Sequence, residues 1–176
     1  MVKNKRGQVW IETVVYTLYA FTLIGFVIGV AKPRIEKVQD KALIEQSLAM
    51  LKDIDSIISS VKGTPGNQRI IEAFIKKGNL IIDGEKDIIL FEIDSKIEYS
   101  QAGQSIEKDG WITLTEIKGE NNIVTISRNY SGIYNLQYQD GDKEKIISKA
   151  TTPYKIEISN RRIQEDNKVL INIDIK

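Results

Sequence analysis

The feature that most constrains this chain is a run of uncharged residues near its N-terminus, from Thr13 to Ala31. Counted from Gln8, the stretch holds one charged residue, Glu12, and an α-helix of this length, at about 1.5 Å per residue, spans about 36 Å. It therefore exceeds the bilayer's hydrocarbon core of about 30 Å. It is also longer than a cleavable secretory segment, about 7–15 residues, and no small-x-small cleavage site follows it. We expect a membrane-inserted helix that stays in the mature protein; the alternative is a buried core helix.

The composition lacks the usual parts of catalytic and nucleic-acid-binding proteins. The chain has 25 basic and 24 acidic residues, so it has no basic surplus for nucleic acid. It contains no cysteine and no histidine, which removes disulfides, thiolate metal sites, imidazole ligands and the Ser–His and Cys–His nucleophile pairs. We predict that the protein is not an enzyme, and we expect no cofactor, no metal and no nucleic-acid partner.

Glu12 is a carboxylate inside the apolar stretch, and its position needs a physical reason. A carboxylate at the bilayer centre costs about 2.5–3.5 kcal/mol on insertion scales, and less near the interface. One explanation is that the side chain reaches the headgroups. The other is a cationic partner: a cut after Gly7 would give Gln8 an α-amine with a reference pKa of about 7.7–8.0. Gln8 and Glu12 share a helix face, and a neighbouring chain would offer the same amine.

The order of residues around this acid resembles a known signal. Lys5 and Arg6 precede Gly7, Gln8 follows, Glu12 is fifth after the glycine, and the uncharged run comes next. This resembles the class III signal peptide of archaeal type IV pilin-like proteins. The resemblance implies cleavage directly after Gly7 by a prepilin peptidase on the cytoplasmic side, and a role for Glu12 in filament assembly.

The resemblance covers residues 3 to 31 and at most the helix to about residue 61; it does not reach the C-terminal part. Two positions depart from the family pattern. Trp10 is bulky so close to the cut, and Thr13 stands where an aromatic residue often follows the acid. The GIG-containing helix that is typical of archaellins is also absent, which argues against the main archaellum filament.

Gly25 and Gly29 form a GxxxG pattern inside the apolar run. Such a pattern lets two membrane helices approach closely, although glycine is also common in these helices without that role. We note both residues as candidates for helix packing.

The segment from residue 32 to residue 63 continues with helical periodicity. Pro33 either starts a new helical turn or kinks a continuous helix. Beyond it, apolar residues form two rows that together make a wide face, so that one row can pack on a sheet and the other can remain for a neighbour. The first row is Ile44, Leu48, Leu51 and Ile58, and the second is Met50, Ile54, Ile57 and Val61. The glycines and proline of residues 63–66 end the helix.

The remaining residues, 64–176, predict a β-rich head. Residues 66–78 have the pattern of a short helix that ends at Gly78. From there, apolar and polar residues alternate between turn signals, which indicates a mostly antiparallel β domain with one face on the helix. The predicted strands are Leu80–Ile82, Ile88–Ile93, Lys96–Ser100, Trp111–Ile117, Ile123–Arg128, Gly132–Gln139, Tyr154–Ser159 and Val169–Ile175.

Polar motifs in the head are weaker functional signals. Asn129-Tyr130-Ser131 is a sequon, which makes Asn129 a candidate for glycosylation on an exported protein. Residues 140–142, Asp-Gly-Asp, favour a hairpin turn over a calcium loop, since further oxygen ligands are missing. We interpret the acids of residues 83–87 as a solvated turn and residues 143–145 as a solvated charge run. Tyrosines 130, 134 and 138 are expected on one strand face, as packing residues.

These patterns predict an α+β, lollipop-shaped pilin-like fold. Its parts are a leader (1–7), a transmembrane and filament-core helix (8–31), an amphipathic helix continuation (32–63) and an extracellular head (64–176). The predicted function is a major or minor subunit of an archaeal type IV pilus-like surface filament, first a single-pass membrane precursor. Its partners would be copies of itself or related pilins, the prepilin peptidase and the membrane. The alternative is a single-pass membrane-anchored extracellular binding protein with a β-rich head.

Overall fold

The computed structural model describes residues 5–119, 121–163 and 168–176. A single long helix, α1 (Lys5–Val61), precedes a series of strands. The strands are β1 (Gln68–Ala73), β2 (Asn79–Asp83), β3 (Ile88–Ser95), β4 (Ser105–Lys108), β5 (Trp111–Lys118), β6 (Asn121–Asn129), β7 (Tyr134–Tyr138), β8 (Glu144–Ser148), β9 (Tyr154–Ile163) and β10 (Val169–Ile175). The predicted α+β class, with a long N-terminal helix before a mostly antiparallel β domain, is confirmed.

The chain divides into two compact units, Met1–Gln39 and Asp40–Lys176. Helix α1 contributes to both, and Pro33 lies within it. A proline in a helix removes one i to i−4 hydrogen bond, and here the helix continues through Pro33 nonetheless.

The strands form two sheets inside the second unit. One is four-stranded, in the order β1-β9-β10-β7, and the other is six-stranded, in the order β4-β5-β6-β3-β2-β8. All pairs are antiparallel except that of β10 with β7, which is parallel. The parallel pair is possible because β7 and β10 are separated by a long connection that contains β8 and β9.

One hydrophobic core joins the second half of α1 to both sheets. From the first helical row, Ile44, Leu51 and Ile58 are fully buried. The second row is not left for a neighbour, because Ile54 and Val61 are also buried and belong to the same core. The helix thus packs with both rows, as its wide apolar face allows.

The predicted helix over residues 66–78 is wrong. Residues 68–73 form β1, which pairs with β9 along its whole length. Clustered apolar residues gave the segment a helical pattern, but Ile70 is 58% exposed and Ile71 and Ala73 point to the core. Pairing with β9 overrides the local preference, as is usual for short segments. Gly78 is not a helix end: it has a φ of 89°, and a Cβ there would collide with the carbonyl oxygen of Glu92.

One strand prediction, one charge run and one missed strand also need correction. Residues 96–100 are not a strand, because side chains satisfy their backbone: the Ile97 amide donates to Ser95 Oγ and the Ser100 amide to Thr115 Oγ1. Residues 144 and 145 of the supposed solvated charge run belong to β8, which pairs with β2. Strand β4 was not predicted, since its alternation is weak and all four residues are exposed.

The end of α1 is capped from the other end of the sequence. The side-chain amide nitrogen of Asn160, on β9, donates to the carbonyl oxygens of Val61 and Lys62 at 3.1 and 2.9 Å. Helix ends leave carbonyl groups without helical partners, so this buried amide satisfies two of them. The predicted stop at residues 63–66 is confirmed.

Candidate processing and assembly site

The predicted processing residues lie in the first turn of α1. Lys5, Arg6, Gly7 and Gln8 are helical, and their side chains lie outside the described part of the structure. Glu12 follows on the same helix with an exposed side chain. Gln8 and Glu12 are thereby placed four residues apart on a continuous helix, the spacing that brings a residue and its partner one turn apart.

Helix α1 exposes its apolar side chains on every side before the second unit begins. Large side chains from Val9 to Val30 have exposed fractions of 44% or more, among them Trp10 at 71%, Tyr16 at 72% and Phe21 at 69%. Within the described residues, the stretch that starts at Val9 is long and apolar enough to cross a membrane, and none of its most apolar window is buried. Exposed apolar surface of this extent is typical of regions that contact lipid or another protein.

Gly25 and Gly29 lie one turn apart on this exposed surface. A Cβ placed on either residue would meet no atom within 4 Å. Packing within the chain therefore does not require a glycine at either position. The backbone at this face is open to close approach by another helix.

Asn129 ends β6 and is exposed. Its side-chain oxygen accepts a hydrogen bond from the Ser131 amide at 2.8 Å, which makes a local turn of the sequon. Tyr130, between them, is fully buried. Tyr134 and Tyr138 are buried on β7, so the expected packing role is confirmed for all three tyrosines, although Tyr130 precedes the strand.

A first polar cluster, here called the Asp40 cluster, holds the start of the second unit. Asp40 is 5% exposed, and its carboxylate accepts hydrogen bonds from Lys77 Nζ (2.6 Å), the Lys96 amide (2.7 Å) and Ser95 Oγ (3.3 Å). Burial alone raises the pKa of Asp40, but the hydrogen bond from Lys77, the amide of Lys96 and the Lys77 charge outweigh it and hold that pKa below its ordinary value.

A second cluster, the Asp55 cluster, joins the helix to the six-stranded sheet. Asp55 accepts hydrogen bonds from Arg128 Nη1 and from the Tyr130 hydroxyl, each at 3.0 Å. The Arg128 guanidinium also lies 5.8 Å from the Trp111 ring and 5.4 Å from the Tyr130 ring. Burial, with the negative charge of Asp55 beside it, raises the pKa of Tyr130 well above its ordinary value.

Sequence reasoning missed both clusters, although a signal was present. Asp40 lies four residues before Ile44, and Asp55 lies between Leu51 and Ile58 at helical spacing. Both acids thus occupy the first apolar row, where a carboxylate must be paired if it is buried. An acid inside an apolar row is the pattern that predicts such a contact.

Two acids in the turn of residues 83–87 accept backbone hydrogen bonds. Asp83 is 5% exposed and accepts hydrogen bonds from the amides of Glu85 and Lys86. Asp87 has a φ of 56°, and its carboxylate accepts the Leu136 amide at 2.7 Å. The last of these bonds ties the turn between β2 and β3 to β7. The predicted turn is confirmed and Glu85 is exposed, but Asp83 is buried and hydrogen-bonded rather than solvated.

A tight turn lies where the sequence predicted a hairpin at residues 140–142, but it spans residues 138–141, and the strands on either side, β7 and β8, belong to different sheets. Gln139 and Asp140 have positive φ angles of 50° and 54°, and Tyr138 and Gly141 exchange both backbone hydrogen bonds. Two adjacent residues with φ above zero are characteristic of a type I′ turn. Among the described residues, no group of three or more acidic side chains is placed to hold a metal ion.

Comparison with known proteins returned no match: no protein-family model, no curated protein and no solved structure is significantly similar to this chain.

Proposed function

We propose that this protein is a major or minor subunit of an archaeal type IV pilus-like surface filament, made as a single-pass membrane precursor and cut after Gly7. The observation that carries the proposal is the division of α1. Its second part packs in the core of the head, whereas its first part exposes apolar side chains all round. A bilayer covers the first part before assembly, and a bundle of such helices covers it afterwards.

Glu12 has a defined task in this proposal. Cleavage creates an α-amine at Gln8, one turn away on the same chain and available from a neighbouring chain. An ammonium and a carboxylate that meet in a dry helix bundle stabilise one axial register, because either charge alone in that environment is strongly disfavoured. The registry role of a buried polar pair is well attested in helix bundles.

The first test is the intact mass of the protein isolated from the membranes and surface fraction of its native cells. Filament processing gives a chain that starts at Gln8. A chain that starts at Met1 or Val2 in both fractions refutes the proposal, and a permanently anchored extracellular binding protein then remains.

The second test is Glu12→Gln, compared with Glu45→Gln on the same helix. Glu45 is exposed and lies 3.9 Å from Lys41, so its amide variant changes charge without affecting the core. We expect Glu12→Gln to be inserted and cut but to be absent from the sheared filament fraction. Glu45→Gln should assemble as the wild type does. Normal filaments of Glu12→Gln would remove the assigned role of the acid.

A further inference from the structure

The outward face of the six-stranded sheet carries a row of aliphatic side chains. On each strand, buried residues alternate with outward ones, as the pleat requires. The registers place Ile112, Ser127, Leu90, Ile81 and Ile146 side by side across β5, β6, β3, β2 and β8. Ile112 is 41% exposed and Ile146 52%. At an inter-strand spacing of about 4.8 Å, the row is about 19 Å long.

Carboxylates flank this row, here called the aliphatic row. Asp94 and Glu116 both lie beside Ile123, Glu92 lies two residues from Leu90 on the same strand, and Glu107 is opposite Ile112. None of the four acids makes an ion pair among the described residues. Lys118, at the end of β5, is the one basic residue at an outward position of the described strands of this sheet.

In the four-stranded sheet, two of the outward acids have partners. Glu157 and Asp174 face each other on β9 and β10. Lys176 lies 3.4 Å from Glu157, and Arg161 lies 3.9 Å from Asp174 and 2.9 Å from Asp140. The aliphatic row and its unpaired acids therefore mark one side of the head, where apolar side chains are exposed and negative charge is in excess.

A segment of α1 has the complementary chemistry. Ile28, Ala31, Ile35 and Val38 follow one another at helical spacing and form one stripe, about 15 Å long at about 1.5 Å per residue. Ile28, Ile35 and Val38 are 58%, 54% and 69% exposed. The stripe is accompanied by Lys32, Arg34 and Lys37 against one acid, Glu36.

We propose that the aliphatic row of one copy docks on the Ile28–Val38 stripe of a second copy, with the unpaired acids of the sheet facing the basic residues of the stripe. The proposal rests on the filament function and names a contact within the filament. Charge complementarity and the similar lengths of the two apolar surfaces support this occupant. The contact is heterologous, since one surface meets a different one, and heterologous contacts that do not close into a ring generate open helical polymers.

The test uses cysteine pairs, because the natural chain has no cysteine to interfere. One tagged copy carries Ile35→Cys and a second, differently tagged copy carries Ile81→Cys; both are expressed in the native cells. We expect an oxidised heterodimer in the filament fraction, which can arise only between copies. The matched control replaces Ile81→Cys by Ser60→Cys, an exposed position on α1 away from the sheet face, and should give no heterodimer.

Filaments recovered by shearing report assembly independently of the disulfide. Filaments that form without the 35–81 heterodimer overturn the docking contact and leave the filament function standing. If no filaments form, either from the cysteine variants or from the unmodified protein, both proposals are overturned.

A charge exchange gives a second readout that needs no particular disulfide geometry. Asp94→Lys with Glu116→Lys should lower the heterodimer yield about tenfold or more, because like charges then meet. Combining it with Arg34→Glu and Lys37→Glu in the partner copy should restore the yield. Unchanged yield in the first combination, with Trp111 emission showing a folded head, refutes the contact.

Discussion

Replacing Asp40 by asparagine tests how the start of the head is held. The carboxylate is 5% exposed and all three of its partners are donors: Lys77 Nζ, the Lys96 amide and Ser95 Oγ. Asparagine has the same shape but one acceptor oxygen, so its amide nitrogen must face a donor. The variant therefore removes the charge and also leaves at least one donor poorly satisfied.

The expected loss follows from the individual bonds. A hydrogen bond to a charged group contributes about 1.5–3 kcal/mol, and the bond from the Lys96 amide, at 2.7 Å, is of this kind. The ion pair with Lys77 adds less, about 0–1 kcal/mol, because the Lys77 side chain is 38% exposed and screened by water. Since the asparagine oxygen still accepts one bond, we expect the free energy of unfolding to fall by about 2–3 kcal/mol.

The assay is urea unfolding of the full-length protein in mild detergent, followed by the emission of Trp111. This side chain is 1% exposed and reports unfolding of the head, and a Trp10→Phe background removes the other tryptophan. Asp53→Asn is the control, an exposed acid on the same helix that should change the unfolding free energy by less than about 0.5 kcal/mol.

The pH dependence of the unfolding free energy tests whether the Asp40 carboxylate is the cause of this loss. The pKa of Asp40 is lower in the folded state, so its contribution is fully present above the unfolded value of about 3.9 and is lost as the pH falls toward the folded pKa. The wild type and Asp40→Asn should therefore differ most near pH 7 and converge below about pH 4. Equal stability at pH 7, or a difference that persists unchanged at pH 3, would refute the assignment of stability to this carboxylate.

Three other outcomes follow from the contacts described above. Tyr130→Phe removes the hydroxyl that donates to Asp55 and should lower the unfolding free energy by about 1–2 kcal/mol, measured by the same urea assay, while Phe keeps the ring packing. Gly29→Leu should insert and fold normally, because nothing lies near its Cβ, but should reduce the sheared filament fraction if the glycine face packs against another helix. Asn129→Gln should remove any glycan mass from the exported protein without changing Trp111 emission, since Asn129 is exposed; an unchanged mass would show that the sequon is not used.

The sequence predicted the long helix and most of the later strands because their signals are local. Helical periodicity is uninterrupted through the two apolar rows, and β10 alternates so regularly that its observed bounds, Val169–Ile175, equal the predicted ones. The prediction for residues 68–73 failed because the signal for their structure is not local. An edge strand has few buried positions to define its period, and the pairing of β1 with β9 joins residues far apart in sequence, which no local pattern contains.

The candidate site likewise has a part with a local sequence signal and a part that depends on distant contacts. The signal around Gly7 and Glu12 is a matter of order along the chain, so a sequence can display it completely. The Asp40 and Asp55 clusters depend on donors from distant strands, such as Arg128 on β6. A sequence can only show that an acid stands in an apolar row; which cation meets it is decided by the register of the sheet.

The acids of α1 suggest a common rule for a helix with two environments. Asp40 and Asp55 stand in apolar rows, and strands of the same chain supply donors to both, such as Ser95 on β3 and Arg128 on β6. Glu12 stands in an apolar surface that the head does not contain, and cleavage after Gly7 would create an ammonium group one turn away. If the pairing of this new ammonium group with Glu12 sets the register of the bundle, close packing of the helices follows removal of the leader. A precursor with Gly7→Leu, uncut and therefore without that amine, should stay in the membrane fraction as separate chains; filaments of uncut precursor would contradict this order of events.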